Sequence, residues 1–204
     1  MRVARTADHP VEPLFVDRWS PRSFTAEPVP DAVLLSIFEA ARWAPSASNA
    51  QPWRFLLSRR GDAEWAEFAG LLAPRNAMWA AHASALILIP SAKQVERGGQ
   101  AVENVSRSFD AGAAWANFAH QALLLGWHTH GIGGFDRAAA RERLAIPEDF
   151  AIEAMVALGR AGGLDSLHVD FHLQEAPNGR RPLEETVFAG RLGAPAFPPE
   201  RSAA

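Results

Sequence analysis

The sequence predicts an α+β domain. Helical and strand-like patterns are interspersed without the strict strand–helix–strand alternation of a doubly wound sheet. A short apolar run bounded by proline, ALILI at 85–89, reads as a buried strand, while a long apolar stretch over 110–125 carries helical spacing. A length of 204 residues with 48% apolar and 21% charged content suits a single globular domain over residues 1–204. A chain of this length buries about 70% of the surface exposed when unfolded.

Taken in order, Asp31 is the expected N-cap of a helix over 31–43. Leu34, Ile37, Phe38 and Ala41 recur there at i, i+3, i+4 and i+7, and Pro45 stops the helix. Residues 53–58 (WRFLLS) form a short strand, and 62–72 and 74–83 are helical, the second opening with Pro74. The ALILI strand ends at Pro90. Residues 91–109 show no clear period, and a stretch of that length reads as a lid or a partly helical excursion. The helix at 110–125 is the most apolar, ends at Gly126, and carries Asn117, His120 and Gln121 as a polar stripe. A strand at 127–132, a helix at 136–144 and a strand at 151–158 follow. A loop, a short helix opened by Pro182, and a proline-rich tail over 195–204 complete the chain.

Composition excludes several classes of function. A net charge of -3 argues against nucleic acid and against a polybasic membrane anchor. No apolar run approaches a membrane span, and the first 24 residues lack the apolar core of a signal peptide, so a cytoplasmic location is expected. With no cysteine there is neither a disulfide framework nor thiolate chemistry. His128 and His130 share one strand face without a third ligand, and His168 and His172 lack a helix around them, so no metal site is expected. Serine-hydrolase, phosphate-loop and zinc-protease motifs are absent.

Four segments carry chemistry instead. The loop APSASNAQPW at 44–53 crowds hydroxyls and amides between two prolines, a composition suited to a fixed loop that offers hydrogen bonds. RWSPR at 18–22 mixes two guanidinium groups with a hydroxyl, and Arg180 and Arg181 precede Pro182; both patterns suit an anionic phosphate. Gly131, Gly133 and Gly134 form a turn that lets backbone approach a ligand closely.

In register over nearly the whole chain, these segments resemble the nitroreductase-like flavoprotein family. The matching stretches are RWSPR, APSASNAQPW, Asn76 ahead of HASALILI, the run DAGAAWANFAHQALLLGWHTHGIGGFD at 110–136, LAIPEDFAIEAMVALGRAGG, and NGRRPLEETVF. The resemblance implies an α+β homodimer whose central, mainly antiparallel sheet is flanked by helices. It further implies FMN at the dimer interface, each site being built from both chains. Arg18, with one of Arg180 and Arg181, would hold the phosphate beside Trp19 and Ser20. Arg22 would face the pyrimidine edge of the ring. Pro45, Ser46, Ala47, Ser48, Asn49 and Gln51 would form the loop that reaches the partner's FMN. Asn76 would bond the ring or ribityl chain, and the backbone of Ile132, Gly133 and Gly134 would lie near N5. Some members place a lysine beside the flavin where this chain has Trp79; Trp115 and Phe109 either line the pocket or pack helices. The implied activity is ping-pong reduction of nitroaromatics, quinones or other electron-poor small molecules by NADPH or NADH, with no catalytic side chain. A dehydrogenase or oxidase of a small substrate, and a flavin-storage protein, are the alternatives.

Overall fold

The computed structural model describes residues 5–197. In chain order the elements are α1 (Pro13–Asp17), α2 (Asp31–Arg42), β1 (Leu56–Arg59), α3 (Trp65–Ala69), α4 (Pro74–Ala80), β2 (Ala85–Ala92), β3 (Gln94–Arg97), β4 (Gln100–Glu103), α5 (Arg107–Leu124), β5 (His128–Ile132), α6 (Arg137–Arg143) and β6 (Phe150–Gly159). Short 3₁₀ helices occur in the loop after α2 and in the C-terminal stretch. The expected short helix after Pro182 is one of these, Leu183–Glu185.

Four strands form one antiparallel sheet in the order β1-β2-β6-β5. The fold is α+β, with helices on both faces. Alternation along β2 decides which side chain goes where. Ala85, Ile87 and Ile89 pack with Val156 and Leu158 against Leu34, Ile37 and Ala41 of α2 and Phe118 and Ala122 of α5. Leu86 and Leu88 pack with Met155 and Ala157 on the opposite face, against Phe68, Leu71, Trp79 and Phe171. Because both faces are covered, β2 reads as an unbroken apolar run rather than an alternating one.

Several local expectations are revised. Pro30, not Asp31, caps α2, and Asp31 in the first turn pairs with Arg59 at 2.7 Å. The helices expected over 62–72 and 74–83 shorten to α3 and α4, since Leu71 and Leu72 turn into the core and Leu72 bridges Phe135. Pro90 does not end β2. The strand continues to Ala92, but its pairing shifts from Ile89↔Ala154 to Pro90↔Ile152, leaving Glu153 as the extra residue of a bulge. Proline cannot donate to the ladder, so a bulge is where a sheet accommodates it. Residues 94–103 form the β3–β4 hairpin around Gly98 and Gly99, whose φ values of 58° and 78° suit a tight two-residue turn.

Candidate functional site

Three tethers hold the segment that follows α1. Arg5 donates from Nη2 to the Arg18 carbonyl at 2.9 Å. His130 on β5 bonds the Pro21 carbonyl through Nδ1 at 2.9 Å. Glu175 accepts the backbone amides of Arg22 at 2.9 and 3.0 Å and of Ser23 at 2.9 Å. Burial lowers the His130 pKa to about 4, with the charges of Arg22 and Arg18 adding to the effect. The ring is therefore neutral near pH 7, and Nδ1 carries the proton that Pro21 accepts. Trp79 lies against it, tilted by 37°, with ring centroids 4.4 Å apart. That contact places Trp79 in the core, 2% exposed, rather than beside an open site.

Arg18 and Ser20 line a cavity of about 400 Å³ with Trp115, Ala116, Ala119 and His120 of α5 and Gly131 of β5. Arg18 Nη1 donates to Ser20 Oγ at 3.3 Å. A second cavity, about 550 Å³, lies between the N-terminal segment and the tail; Arg5, Arg180 and Arg181 share it with Val11, Phe15 and Leu183. Burial, then the charges of Arg180 and Arg5, push Arg18 below the usual arginine range. Arg5 is lowered by burial and by Arg180, while Asp17 offsets part of this. Among the described residues none of Arg5, Arg18, Arg180 and Arg181 forms an ion pair. Positive charge is thus concentrated where Arg18 of the first cavity feels Arg5 and Arg180 of the second. Arg22 lines neither; it donates to the Gln174 carbonyl and lies 5.9 Å from the Phe171 ring, which Arg75 approaches at 5.0 Å. Trp19 is half-buried and lines neither.

Of the glycine turn only Gly131 lines the Arg18 cavity; Ile132, Gly133, Gly134 and Asn76 line neither. Asn76 donates from Nδ2 to the Gly134 carbonyl at 2.9 Å, and a Cβ on Gly134 would stand 2.7 Å from that nitrogen. A Cβ on Gly133 would meet nothing within 4 Å, so this backbone is open to a ligand. Ile132 turns its side chain into the core and offers only its main chain. Arg137 braces the turn, donating to the carbonyls of Gly133, Ile152 and Glu153.

The loop at 44–53 is built by other means. Ser48, Asn49 and Gln51 all adopt positive φ, between 46° and 56°, which non-glycine residues seldom do. Buried Asp110 of α5 holds the loop by accepting the Ala47 amide at 3.1 Å, and Ser46 Oγ accepts the Gln51 amide at 3.1 Å. Pro45, Ser48, Asn49 and Gln51 are exposed, and no residue of the loop lines either cavity of its own chain.

The histidines have structural partners: His172 Nε2 lies 2.8 Å from the Leu167 carbonyl, and His168 Nδ1 accepts the Asp170 amide at 3.3 Å. No local motif marks Arg5, Glu175 or Arg137. Glu175 lies 153 residues from Arg22, so no local pattern announces it. His120 was legible as part of the α5 stripe, whose other members turn to α2: Asn117 bonds the Ala40 carbonyl and Gln121 bonds Ser36.

The sequence model of the Nitroreductase family matches residues 16–77, a span holding RWSPR, the strained loop and Asn76. A protein named NADH dehydrogenase from Thermus thermophilus is 31% identical over 199 residues, 84% of this chain and 91% of its own. The chain belongs to the nitroreductase family. Among solved structures, an oxidoreductase containing FMN superposes with a TM-score of 0.90 at 43% identity, over 93% of this chain and 96% of its own. A nitroreductase candidate from Desulfovibrio desulfuricans, solved in complex with FMN, has a TM-score of 0.71 at 27% identity, over 91% of this chain and 99% of its own. The Arg5 arm lies ahead of the segment that the nitroreductase model matches.

Proposed function

We propose that this nitroreductase-family chain is an NAD(P)H-dependent FMN oxidoreductase. In this reading it passes electrons to nitroaromatics, quinones or similar electron-poor acceptors in a ping-pong cycle. It works as a homodimer with an FMN site at each shared interface. One observation carries the reading: Arg18 lines a cavity walled by Trp115 and Gly131 and feels the charges of Arg5 and Arg180 of the second cavity, and none of the three has an ion-pair partner among the described residues. Guanidinium groups so placed repel one another, and a phosphate dianion relieves that repulsion through charge-assisted hydrogen bonds. The flat indole and the unobstructed Gly133 backbone suit a planar ring. The FMN-containing relatives support the same assignment.

Bound FMN would supply the redox chemistry, taking a hydride from the nicotinamide and giving the electrons to the acceptor. The protein's residues bind and orient. Arg18, Ser20 and Arg180 hold the phosphate. Glu175 and His130 position the segment from which Arg18 and Arg22 project, and Arg22 contributes a fixed positive field. His120, kept below the ordinary histidine pKa by burial and by Arg18, offers a hydrogen-bonding wall. The loop at 44–53 serves the partner's site, which explains strained, exposed hydrogen-bonding groups that line no cavity of their own chain. Val105 and Phe109, exposed apolar residues near the loop's anchor Asp110, fit a covered dimer face. No helix among the described residues is long and apolar enough to cross a membrane.

The test is the visible spectrum of the purified protein, followed by anaerobic addition of NADH and NADPH in turn. A yellow protein whose flavin band bleaches, and recovers with a quinone or nitroaromatic, is the expected result. A colourless protein that cannot be loaded with FMN refutes the assignment. Sedimentation of a fully flavin-loaded monomer refutes the shared site.

A further inference from the structure

A third cavity, about 130 Å³, lies next to the glycine turn, sharing Trp115 and Gly131 with the cavity that Arg18 lines. Its size is that of one aromatic ring, since an engineered apolar cavity of about 150 Å³ takes up benzene. Ile89, Ala111, Ala154 and Val156 give it an apolar lining, and one ionisable group, Glu153, enters it.

Glu153 is there because of the bulge opposite Pro90, which re-aims a side chain out of the regular alternation. Its Oε1 accepts Ser91 Oγ at 2.5 Å and Ser108 Oγ at 2.9 Å, which fixes the carboxylate. Oε2 has no hydrogen-bond or ion-pair partner among the described residues. Arg137 braces the bulge without pairing with the carboxylate: it donates to the Glu153 carbonyl at 3.2 Å and to the Gly133 carbonyl at 3.1 Å. A positioned carboxylate with a spare oxygen, set in apolar walls, recognises a cation or an N–H donor and repels an anion.

We propose that Glu153 is a specificity-determining residue, and that this cavity takes the aromatic ring of an electron acceptor bearing a positively charged or N–H-donating substituent. The proposal rests on the flavin reading for what happens to the bound ring, but not for whether the ring binds.

The probes are benzylammonium, benzyl alcohol and benzoate, titrated calorimetrically into the purified protein. Benzylammonium is expected to bind about tenfold more tightly than benzyl alcohol, with benzoate weakest. Glu153→Gln, which keeps an acceptor for both serines, should erase the preference. Gly112→Leu should abolish binding of all three: a Cβ at Gly112 meets nothing within 4 Å, so a larger side chain fills the cavity, and leucine favours the helix over glycine. In turnover with NADH or NADPH, Glu153→Gln should lower kcat/KM for 4-nitrobenzylammonium about tenfold relative to 4-nitrobenzyl alcohol. Equal binding of the three probes, or an unchanged preference in Glu153→Gln, overturns the proposal. A protein that never takes up FMN defeats the proposed function while leaving the calorimetric preference standing. An active, flavin-loaded protein without that preference defeats only the role of Glu153.

Discussion

Lowering the pH should destabilise this protein through His130, and the size of the effect follows from its surroundings. The imidazole sits between Trp79 and the Pro21 carbonyl, and burial brings its folded pKa from 6.5 to about 4. Over that window the unfolded chain binds more protons than the folded one, so stability rises with pH and is lost as pH falls. Between about pH 7 and about pH 5 the loss from this one group is about 2 kcal/mol, approaching about 3 kcal/mol below its folded pKa. Urea titrations at several pH values, on the wild type and on His130→Asn, isolate the contribution. Asparagine places a donor where Nδ1 stands but does not titrate. The variant starts less stable, having lost the ring contact with Trp79, yet its stability should fall by about 2 kcal/mol less over the same range. Parallel pH profiles for the two proteins would refute the assignment of a neutral, buried His130.

Other outcomes can be checked independently. Removing Arg18 or Arg180 by substitution with alanine should each weaken FMN binding by about tenfold to a hundredfold, and the double variant should release FMN with its circular dichroism unchanged; unaltered fluorescence titrations would remove both from the phosphate site. Asp110→Ala strips the Ala47 amide of its carboxylate partner, at about 1.5–3 kcal/mol of local stability. Hydrogen exchange should quicken over residues 46–51 and FMN should bind more weakly; neither change would appear if the loop holds its own shape. Gly134→Ala should displace the Asn76 side chain and cost about 1 kcal/mol, because the new Cβ would stand 2.7 Å from Nδ2. In an Asn76→Ala background the same substitution should be nearly neutral, and a full cost there would point to backbone strain instead.

Local periodicity made most of the fold legible. Leu34, Ile37 and Ala41 are buried as their spacing demands, and the ALILI run fills both faces of the sheet. Pro90 misled because its local meaning, the end of a strand, yields to a bulge that only the pairing with β6 makes available. The β3–β4 hairpin hid behind polar side chains on both faces, leaving Gly98 and Gly99 as its one signal. At the site, motif spacing pointed to Arg18, Ser20, the loop and the glycine turn. It could not reveal Arg5, Glu175 or Glu153, whose partners lie 13, 153 and up to 62 residues away.

By itself, the sequence determined the α+β class and the family, because periodicity and motif spacing are properties of neighbouring residues. Tertiary structure alone decided how those groups are held. It set Trp79 in the core against His130, placed Glu175 under two backbone amides, and turned Glu153 into an apolar cavity through a one-residue shift in strand register. Each of these joins residues distant in the chain, so burial and pairing create interactions there that no local pattern encodes.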